Sequence, residues 1–155
     1  MTEPVIEPTT ESTLTAALRT LLLIADDLLL ASRVKEGAKP TGLAVVSAAT
    51  EPAIDAALAA APSPVAVLVS LTTRRCDPYA AIRRLKSAAN PLPVLAFAGH
   101  AEREKHARAR DAGANLVAAN SSVSAHLPAL LARLLRGEQG NAALDDDAEN
   151  ANETA

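Results

Sequence analysis

The segment Val65-Ala66-Val67-Leu68-Val69-Ser70-Leu71 decides the fold, because it is a run of small and branched apolar residues broken only at its end by a serine. The polar residues Thr72-Thr73-Arg74-Arg75 follow it. An apolar run of this length, bounded by polar turn residues, predicts a strand buried on both faces, as in the centre of a parallel sheet. In an open α/β sheet, ligands bind outside the carboxyl ends of such strands. Here that end carries the hydroxyl of Ser70 and no carboxylate.

Four more apolar segments alternate with predicted helices. We predict strands at 19–25, 43–47, 65–71, 94–98 and 116–119, and helices at 28–38, 50–61, 79–88, 102–112 and 121–135. Thr50 and Asp77 are capping residues close to a proline, a pattern typical of helix starts. In the last helix a leucine stripe is expected to dock on the sheet: Leu127, Leu130, Leu131, Leu134 and Leu135. This alternation predicts a doubly wound α/β fold with a five-stranded parallel sheet in the flavodoxin-like order 2-1-3-4-5.

The charge distribution separates one domain from two tails. We assign residues 19–136 to the domain, and expect residues 1–18 and 137–155 to be acidic and largely disordered. The two tails hold nine acidic residues and no Lys or Arg, whereas the domain holds all 15 Lys and Arg against nine acids. The tails either supply solubility or fold back to screen a mildly basic domain.

Composition excludes several classes of function. Cys76 is the only cysteine, so an intrachain disulfide is excluded and a reducing compartment is indicated. The amino terminus lacks the basic and apolar regions of a signal peptide, and no apolar run is long enough to span a bilayer. One Phe, one Tyr and no Trp leave no platform for stacking bases. We therefore expect a cytoplasmic protein with no membrane or nucleic-acid partner.

At this point the sequence resembles the CheY-like receiver domains of bacterial response regulators, over residues 21–136. The matching features are Asp26-Asp27 after the first strand, the strand that ends at Ser70, Asp77 before the third helix, Leu92-Pro93-Val94-Leu95, and Asp111-Ala112-Gly113-Ala114. It is most similar to degenerate, stand-alone receivers, in which Asp-Leu and two bulky apolar residues follow the first strand, as in Asp27-Leu28-Leu29-Leu30. The resemblance implies a place in two-component signalling or a phosphorelay.

The sequence departs from the working receiver at three positions. A phosphorylated receiver has an aspartate at the end of the third strand, a Thr or Ser at the end of the fourth, and a Lys followed by Pro after the fifth. This sequence has Ser70, Ala98 and Asn120-Ser121 instead. The resemblance thus implies a degenerate phosphorylation pocket made of Asp26, Asp27, Ser70, Ala98, His100 and Asn120. Asp26 and Asp27 leave at most a weak magnesium site, no other cofactor is expected, and self-phosphorylation is not expected.

Single residues in this region have alternative interpretations. Ser70 either fills the space of the missing carboxylate or is a phosphorylated or nucleophilic hydroxyl, although no general base or Gly-x-Ser-x-Gly turn accompanies it. Asp77 is either a helix cap or a displaced phosphoryl acceptor. His100, His106 and His126 lack the spacing of metal ligands, which favours surface or capping roles.

Exposed apolar and basic residues define a candidate interaction surface. Three consecutive leucines start the first helix, and at least one must face solvent. The basic residues around the third and fourth helices form either a solvated face or a contact for an acidic partner. The candidate surface consists of Leu28, Leu29, Arg74, Arg75, Arg103 and Arg108.

These observations favour a stand-alone pseudo-receiver, a non-enzymatic module that binds protein partners independently of phosphorylation. The resemblance implies a homodimer through the fourth helix, fifth strand and fifth helix as one such partnership. The alternative is a small-molecule or nucleotide sensor that uses the vacated pocket. A hydrolase or transferase has no supporting motif, because the sequence lacks a Gly-rich phosphate loop, a catalytic triad and a metal-ligand cluster.

Overall fold

Six parallel strands form one sheet with helices on both faces. The structure is a computed structural model and describes residues 19–141, so most of both predicted tails lies outside the described residues. The strands are β1 (Thr20–Ile24), β2 (Ala44–Ala48), β3 (Pro64–Ser70), β4 (Val94–Ala98), β5 (Leu116–Ala119) and β6 (Gly140–Asn141). The helices are α1 (Leu28–Ala38), α2 (Glu51–Ala59), α3 (Pro78–Lys86), α4 (Arg103–Ala112) and α5 (Asn120–Leu135). The sheet order is β2-β1-β3-β4-β5-β6, which confirms the predicted fold class and strand order.

Strand β3 lies in the middle of the sheet and is buried on both faces, as its composition predicted. Ala66 and Leu68 belong to the core beneath α1 and α5. Val67 and Val69 belong to the core beneath α2, α3 and α4. Because successive side chains of a strand point to opposite faces, only a continuous apolar run can fill both cores.

Aspartates that accept peptide hydrogen bonds start two helices. Asp27 Oδ1 accepts from the N–H groups of Leu29 (2.9 Å) and Leu30 (3.2 Å), at the start of α1. Asp77 Oδ1 accepts from the N–H groups of Tyr79 (3.0 Å) and Ala80 (3.2 Å), at the start of α3. These bonds satisfy N–H groups that have no partner inside the helix. Asp77 therefore caps α3, as predicted.

The leucine stripe of α5 differs from the prediction at its last member. Leu127, Leu130, Leu131 and Leu134 are buried, but Leu135 is 40% exposed. Leu127, Leu130, Leu131 and Leu134 follow the i, i+3, i+4, i+7 spacing of one helix face, and at about 100° per residue Leu135 falls at the border of that face. The helix also begins one residue earlier than predicted, at Asn120, and has a non-helical residue at His126, two positions before Pro128.

The sheet continues past residue 136, where the sequence analysis placed the start of a tail. Gly137 has a φ of 84°, a conformation that favours glycine, and turns the chain back toward the sheet. Glu138 binds Arg133 at 2.8 Å in this turn. The peptide N–H of Gly140 then donates to the carbonyl of Asn115 at 2.8 Å, which begins the pairing of β6 with β5. Within residues 19–141, no helix has the length and apolar content needed to cross a membrane.

Candidate functional site

The predicted pocket residues lie along the carboxyl edge of the sheet. Asp26 follows β1, Ser70 ends β3, Ala98 ends β4 and Asn120 follows β5. These four strands are adjacent and parallel, with Ser70 in register with Phe97 and Ala98 with Ala119. The structure therefore brings the four positions to one edge, where an open α/β sheet places its ligand site.

Asp26 contacts the loop that connects β3 to α3. Its Oδ2 atom accepts hydrogen bonds from the peptide N–H groups of Arg74, at 2.8 Å, and Arg75, at 3.3 Å. Hydrogen bonds from N–H groups to an ionised carboxylate are stronger than those between neutral groups. The carboxylate that would face a metal ion in a receiver thus holds the neighbouring loop in place.

Ser70 is buried and pairs with a second hydroxyl. Its exposed fraction is 3%, and its Oγ lies 3.1 Å from Oγ1 of Thr72. The carbonyl of Ser70 accepts from the N–H of Thr73 at 3.3 Å, so the chain turns directly after the strand. The hydroxyl of Thr73 is buried and has no hydrogen-bond partner among residues 19–141. Ser70 thus has a local partner for its hydroxyl within this turn.

Glu102 binds back to the start of the loop that follows β4. Oε2 of Glu102 accepts from the N–H of Gly99 at 3.1 Å, and Oε1 lies 3.2 Å from Nζ of Lys105. The Gly99 N–H and then Lys105 hold the pKa of Glu102 below its usual value. Ala98 is fully buried and offers no hydroxyl, and His100 is exposed in the turn. No phosphoryl-binding hydroxyl stands at the end of this strand.

At the third of the altered positions, Asn120 is exposed as the first residue of α5. It offers an uncharged amide where a receiver has a lysine.

The free cysteine, Cys76, lies in the loop next to Asp77. Burial, followed by the negative charges of Glu51 and Asp26, raises the pKa of the Cys76 thiol, which disfavours a nucleophilic thiolate at neutral pH.

The predicted interaction residues lie at the start of α1, in the loop between β3 and α3, and on α4. Leu28 and Leu29 start α1, and Arg74 and Arg75 lie in the loop held by Asp26, so these four share the carboxyl edge. Elsewhere, the guanidinium carbon of Arg108 lies 3.9 Å from the centre of the Tyr79 ring, across the α3–α4 contact. Arg103 is the first residue of α4. Because α4 follows β4, Arg103 also lies near the carboxyl edge, and Arg108 lies farther along the helix.

Sequence reasoning missed three kinds of contact, of which only the first involves the peptide backbone. The N–H groups of Arg74 and Arg75 carry no residue-specific signal, so a composition of Thr-Thr-Arg-Arg does not reveal that they bind Asp26. The contact between the Ser70 and Thr72 hydroxyls joins side chains only two positions apart, so it is local in sequence. The stacking of Arg108 on Tyr79 had no local signal, since the two residues are far apart in sequence.

Comparison with solved structures identifies the fold. A LuxR-family two-component response regulator from Aurantimonas has 22% identity and a TM-score of 0.68, covering 88% of this chain and 98% of that chain. The receiver domain of NtrX from Brucella abortus has 22% identity and a TM-score of 0.65, covering 75% and 98%. The receiver domain of a Pseudomonas aeruginosa sensor histidine kinase has 21% identity and a TM-score of 0.65, covering 76% and 98%.

The chain therefore has the fold of the receiver domains of response regulators. No protein-family model and no curated protein matches its sequence. At these identities the likeness establishes the architecture, and function rests on the residues at the carboxyl edge.

These residues do not fit the magnesium ion that the fold implies. The Pseudomonas aeruginosa receiver was solved with magnesium coordinated in its active-site cleft. Magnesium requires near-octahedral oxygen ligands. In this chain Asp26 and Asp27 each accept two peptide hydrogen bonds, and the third carboxylate is replaced by Ser70, whose hydroxyl faces Thr72. Across the described range 19–141, no group of three His, Cys, Asp or Glu side chains could hold a metal ion.

Proposed function

We propose that this chain is a pseudo-receiver, a non-enzymatic module of bacterial signalling that acts in the cytoplasm by binding protein partners. It works independently of phosphorylation. The observation that carries the proposal is the pair of hydrogen bonds from the peptide groups of Arg74 and Arg75 to Asp26. They engage Oδ2 of a carboxylate that would face the metal ion in a receiver.

Loss of phosphoryl chemistry follows from the groups at the edge of the sheet. Phosphoryl transfer needs an in-line nucleophile, a clamped divalent metal ion and a cation that stabilises the developing charge. Ser70 offers a hydroxyl with an unactivated oxygen, Ala98 offers a methyl group, and Asn120 offers a neutral amide. The carboxylate nucleophile and the cation are therefore missing, and Ala98 lacks the hydroxyl that bonds the phosphoryl group in a receiver.

A module without this chemistry acts through its surface. Large apolar side chains and unpaired guanidinium groups are typical of protein contact surfaces. Leu28 and Leu29 are 87% and 67% exposed, and Arg74 and Arg75 form no ion pair with another residue of the described chain. A homodimer through α4, β5 and α5 is a second part of the proposal, supported by the exposed Leu135 on α5.

The test is phosphorylation by a small donor. The full chain is incubated with acetyl phosphate and Mg²⁺ and its intact mass is measured, beside a receiver domain that has aspartate at the Ser70 position. We expect the mass of this chain to stay unchanged while the control gains one phosphate. A stable phosphate on this chain would refute the proposal, and peptide mapping would locate it.

A further inference from the structure

Two arginines lie on the same side of α4 without a carboxylate beside them. Arg103 and Arg110 are exposed, and their separation of seven residues is close to two full helical turns. Residues three or four positions apart are neighbours on a helix surface, and within α4 those positions are His106 and Ala107 for both arginines. Neither arginine forms an ion pair with another residue of the described range 19–141.

The contact between α3 and α4 fixes the direction of this side of the helix. The guanidinium carbon of Arg108 lies 3.9 Å from the centre of the Tyr79 ring, so Arg108 marks the side of α4 that faces α3. Arg110 follows two positions later and therefore points about 200° away around the helix. Arg103 and Arg110 thus lie on the side of α4 that is directed away from α3.

That side of α4 faces the β5–β6 edge of the sheet. The two helices pack on the same face of the sheet, where Ile82 of α3 and Ala109 of α4 belong to one core. Because α3 connects β3 to β4 and α4 connects β4 to β5, α4 lies between α3 and the strand β6. Among the described elements, no helix lies beyond α4 on this face. We call the side that carries Arg103 and Arg110 the outer flank of α4.

The acidic carboxyl-terminal segment leaves the domain at this same edge. The described chain ends at Asn141 in β6, which is parallel to β5, and α4 packs directly on β5. Asp145-Asp146-Asp147 begins four residues later, and residues 142–155 hold five acidic residues and no Lys or Arg. Four extended residues span up to about 14 Å. The three aspartates are therefore within reach of the outer flank of α4.

The carboxylates of the domain around this flank have other neighbours. Glu104 and Asp111 lie four and three positions from Arg108, on the side of the helix away from the two free arginines. Glu102 pairs with the lysine of α4 at 3.2 Å. Glu138, in the turn before β6, pairs with two arginines at the end of α5. The outer flank consequently presents two positive charges at the point where a negatively charged segment leaves the sheet.

We propose that the segment Asp145-Asp146-Asp147 folds back within its own chain and binds the outer flank of α4. Its carboxylates pair with the guanidinium groups of Arg103 and Arg110, which match carboxylates in geometry and charge. Single exposed ion pairs are weak, but the short connection to β6 gives the segment a high effective concentration at the flank. The segment is thus an intrachain cover for one side of α4.

The fold-back contact has a consequence for self-association. The homodimer proposed above uses α4, β5 and α5, so a segment bound on α4 covers part of the same face. Loss of the segment's charge should therefore make the homodimer form at lower protein concentration. This consequence rests on the proposed function, whereas the contact within one chain does not.

The experiment measures the distance between the segment and α4 in the full ¹⁵N-labelled chain. A nitroxide spin label is attached to A148C in a C76S background, because Cys76 is the only native cysteine. We expect the label to broaden the amide signals of residues 103–110. The broadening should disappear at about 1 M salt, where the screening length falls to about 3 Å. It should be absent when the spin label and the ¹⁵N label are on different chains in a mixture.

Variants with matched controls separate the charges from the tether. D145N/D146N/D147N keeps the length of the segment, and R103E/R110E keeps the helix; each should abolish the broadening of α4. E3Q/E7Q/E11Q removes three carboxylates from the other end of the chain, and R33E/R83E reverses two exposed arginines on α1 and α3; both should keep it. Circular dichroism checks that each variant is folded.

Several outcomes would overturn the inference. These are absence of broadening in α4, broadening that survives in D145N/D146N/D147N, equal loss of broadening in R33E/R83E, and broadening in the mixture of chains, which would place the contact between copies.

Sedimentation velocity separates this inference from the proposed homodimer. We expect D145N/D146N/D147N to dimerise at lower concentration than the parent. Broadening of α4 in a chain that stays monomeric at every concentration would refute the homodimer and support the contact within one chain. A dimer without broadening would refute the fold-back contact and leave the homodimer standing.

Discussion

The carboxylate of Asp26 accepts a hydrogen bond of 2.8 Å from the peptide N–H of Arg74, 48 residues later in the chain. The bond joins the end of β1 to the loop after β3, at the edge of the sheet where a receiver domain would bind its metal ion. A residue suited to metal binding has thereby become part of the internal hydrogen bonding. The loop it holds carries the exposed side chains of Arg74 and Arg75.

Substitution of Asp26 should release that loop. We expect D26A to lower the free energy of unfolding by about 1.5 kcal/mol, since it removes two charge-assisted hydrogen bonds. Hydrogen exchange at the amides of Arg74 and Arg75 should become faster in the variant. The measurements are urea denaturation and amide exchange by NMR.

D55A is the matched control for D26A. It removes the ion pair between Asp55 and Arg84, whose side chains are 55% and 52% exposed, and exposed ion pairs contribute about 0–1 kcal/mol. It should leave exchange at Arg74 unchanged. Unaltered exchange at Arg74 in D26A would mean that the loop is held by other contacts.

Asp77 should behave as a helix cap. We expect D77A to cost about 1 kcal/mol of stability, because the N–H groups of Tyr79 and Ala80 lose their acceptor. D77S should recover most of that loss, since a serine hydroxyl also accepts at this position. Urea denaturation measures both variants. If D77A and D77S were equally destabilised, the capping hydrogen bonds would not be the cause.

Restoring an acidic residue at position 70 should not restore phosphorylation. Ser70 is only 3% exposed, so S70D places a carboxylate in a buried position and we expect it to lower stability. The groups that bind the phosphoryl oxygens remain absent, because Ala98 and Asn120 are unchanged. Intact mass after treatment with acetyl phosphate and Mg²⁺ checks this expectation.

S70A serves as the control for S70D. It removes the Ser70 to Thr72 hydroxyl contact without adding a charge, and it should cost less stability than S70D. Efficient phosphorylation of S70D would contradict the expectation. It would mean that the acceptor residue alone was missing from a pocket that otherwise works.

Glu102 should contribute to the loss of stability in acid. Its pKa in the folded protein lies below the ordinary value of 4.5, because the N–H of Gly99 and the Lys105 ammonium favour the charged form. A carboxyl with a lowered folded pKa stabilises the protein above its unfolded pKa and loses that contribution as pH falls through the folded pKa. The parent should therefore lose more stability than E102Q as the pH falls below 4.5.

Urea denaturation over a range of acidic pH values tests the role of Glu102. E104Q removes a carboxylate from the first turn of α4, directly after Glu102. Glu104 forms no ion pair within residues 19–141, and the profile of E104Q should follow that of the parent. Identical pH profiles for E102Q and the parent would contradict the assigned role of the Gly99 and Lys105 contacts.

The sequence by itself determined the order of the elements and the identity of the central strand. The unbroken apolar run before Ser70 has apolar side chains on both faces of its strand. β3 was therefore expected in the middle of a sheet that is covered on both faces. The cap before Pro78 and the terminating Gly113, with a φ of 114°, were also predictable, because both depend on residues within one turn of the chain. The serine at the end of β3 was visible in the same way.

The tertiary structure alone decided what Asp26 binds and where the sheet ends. Its partners are peptide N–H groups, which every residue except proline possesses, so no residue pattern marks them. The short strand β6 pairs through Gly140 and Asn141, whose side chains contribute little to strand preference, and only the return of α5 along the sheet brings them beside β5. Local periodicity thus predicts the elements, whereas contacts between distant backbone segments depend on how those elements pack.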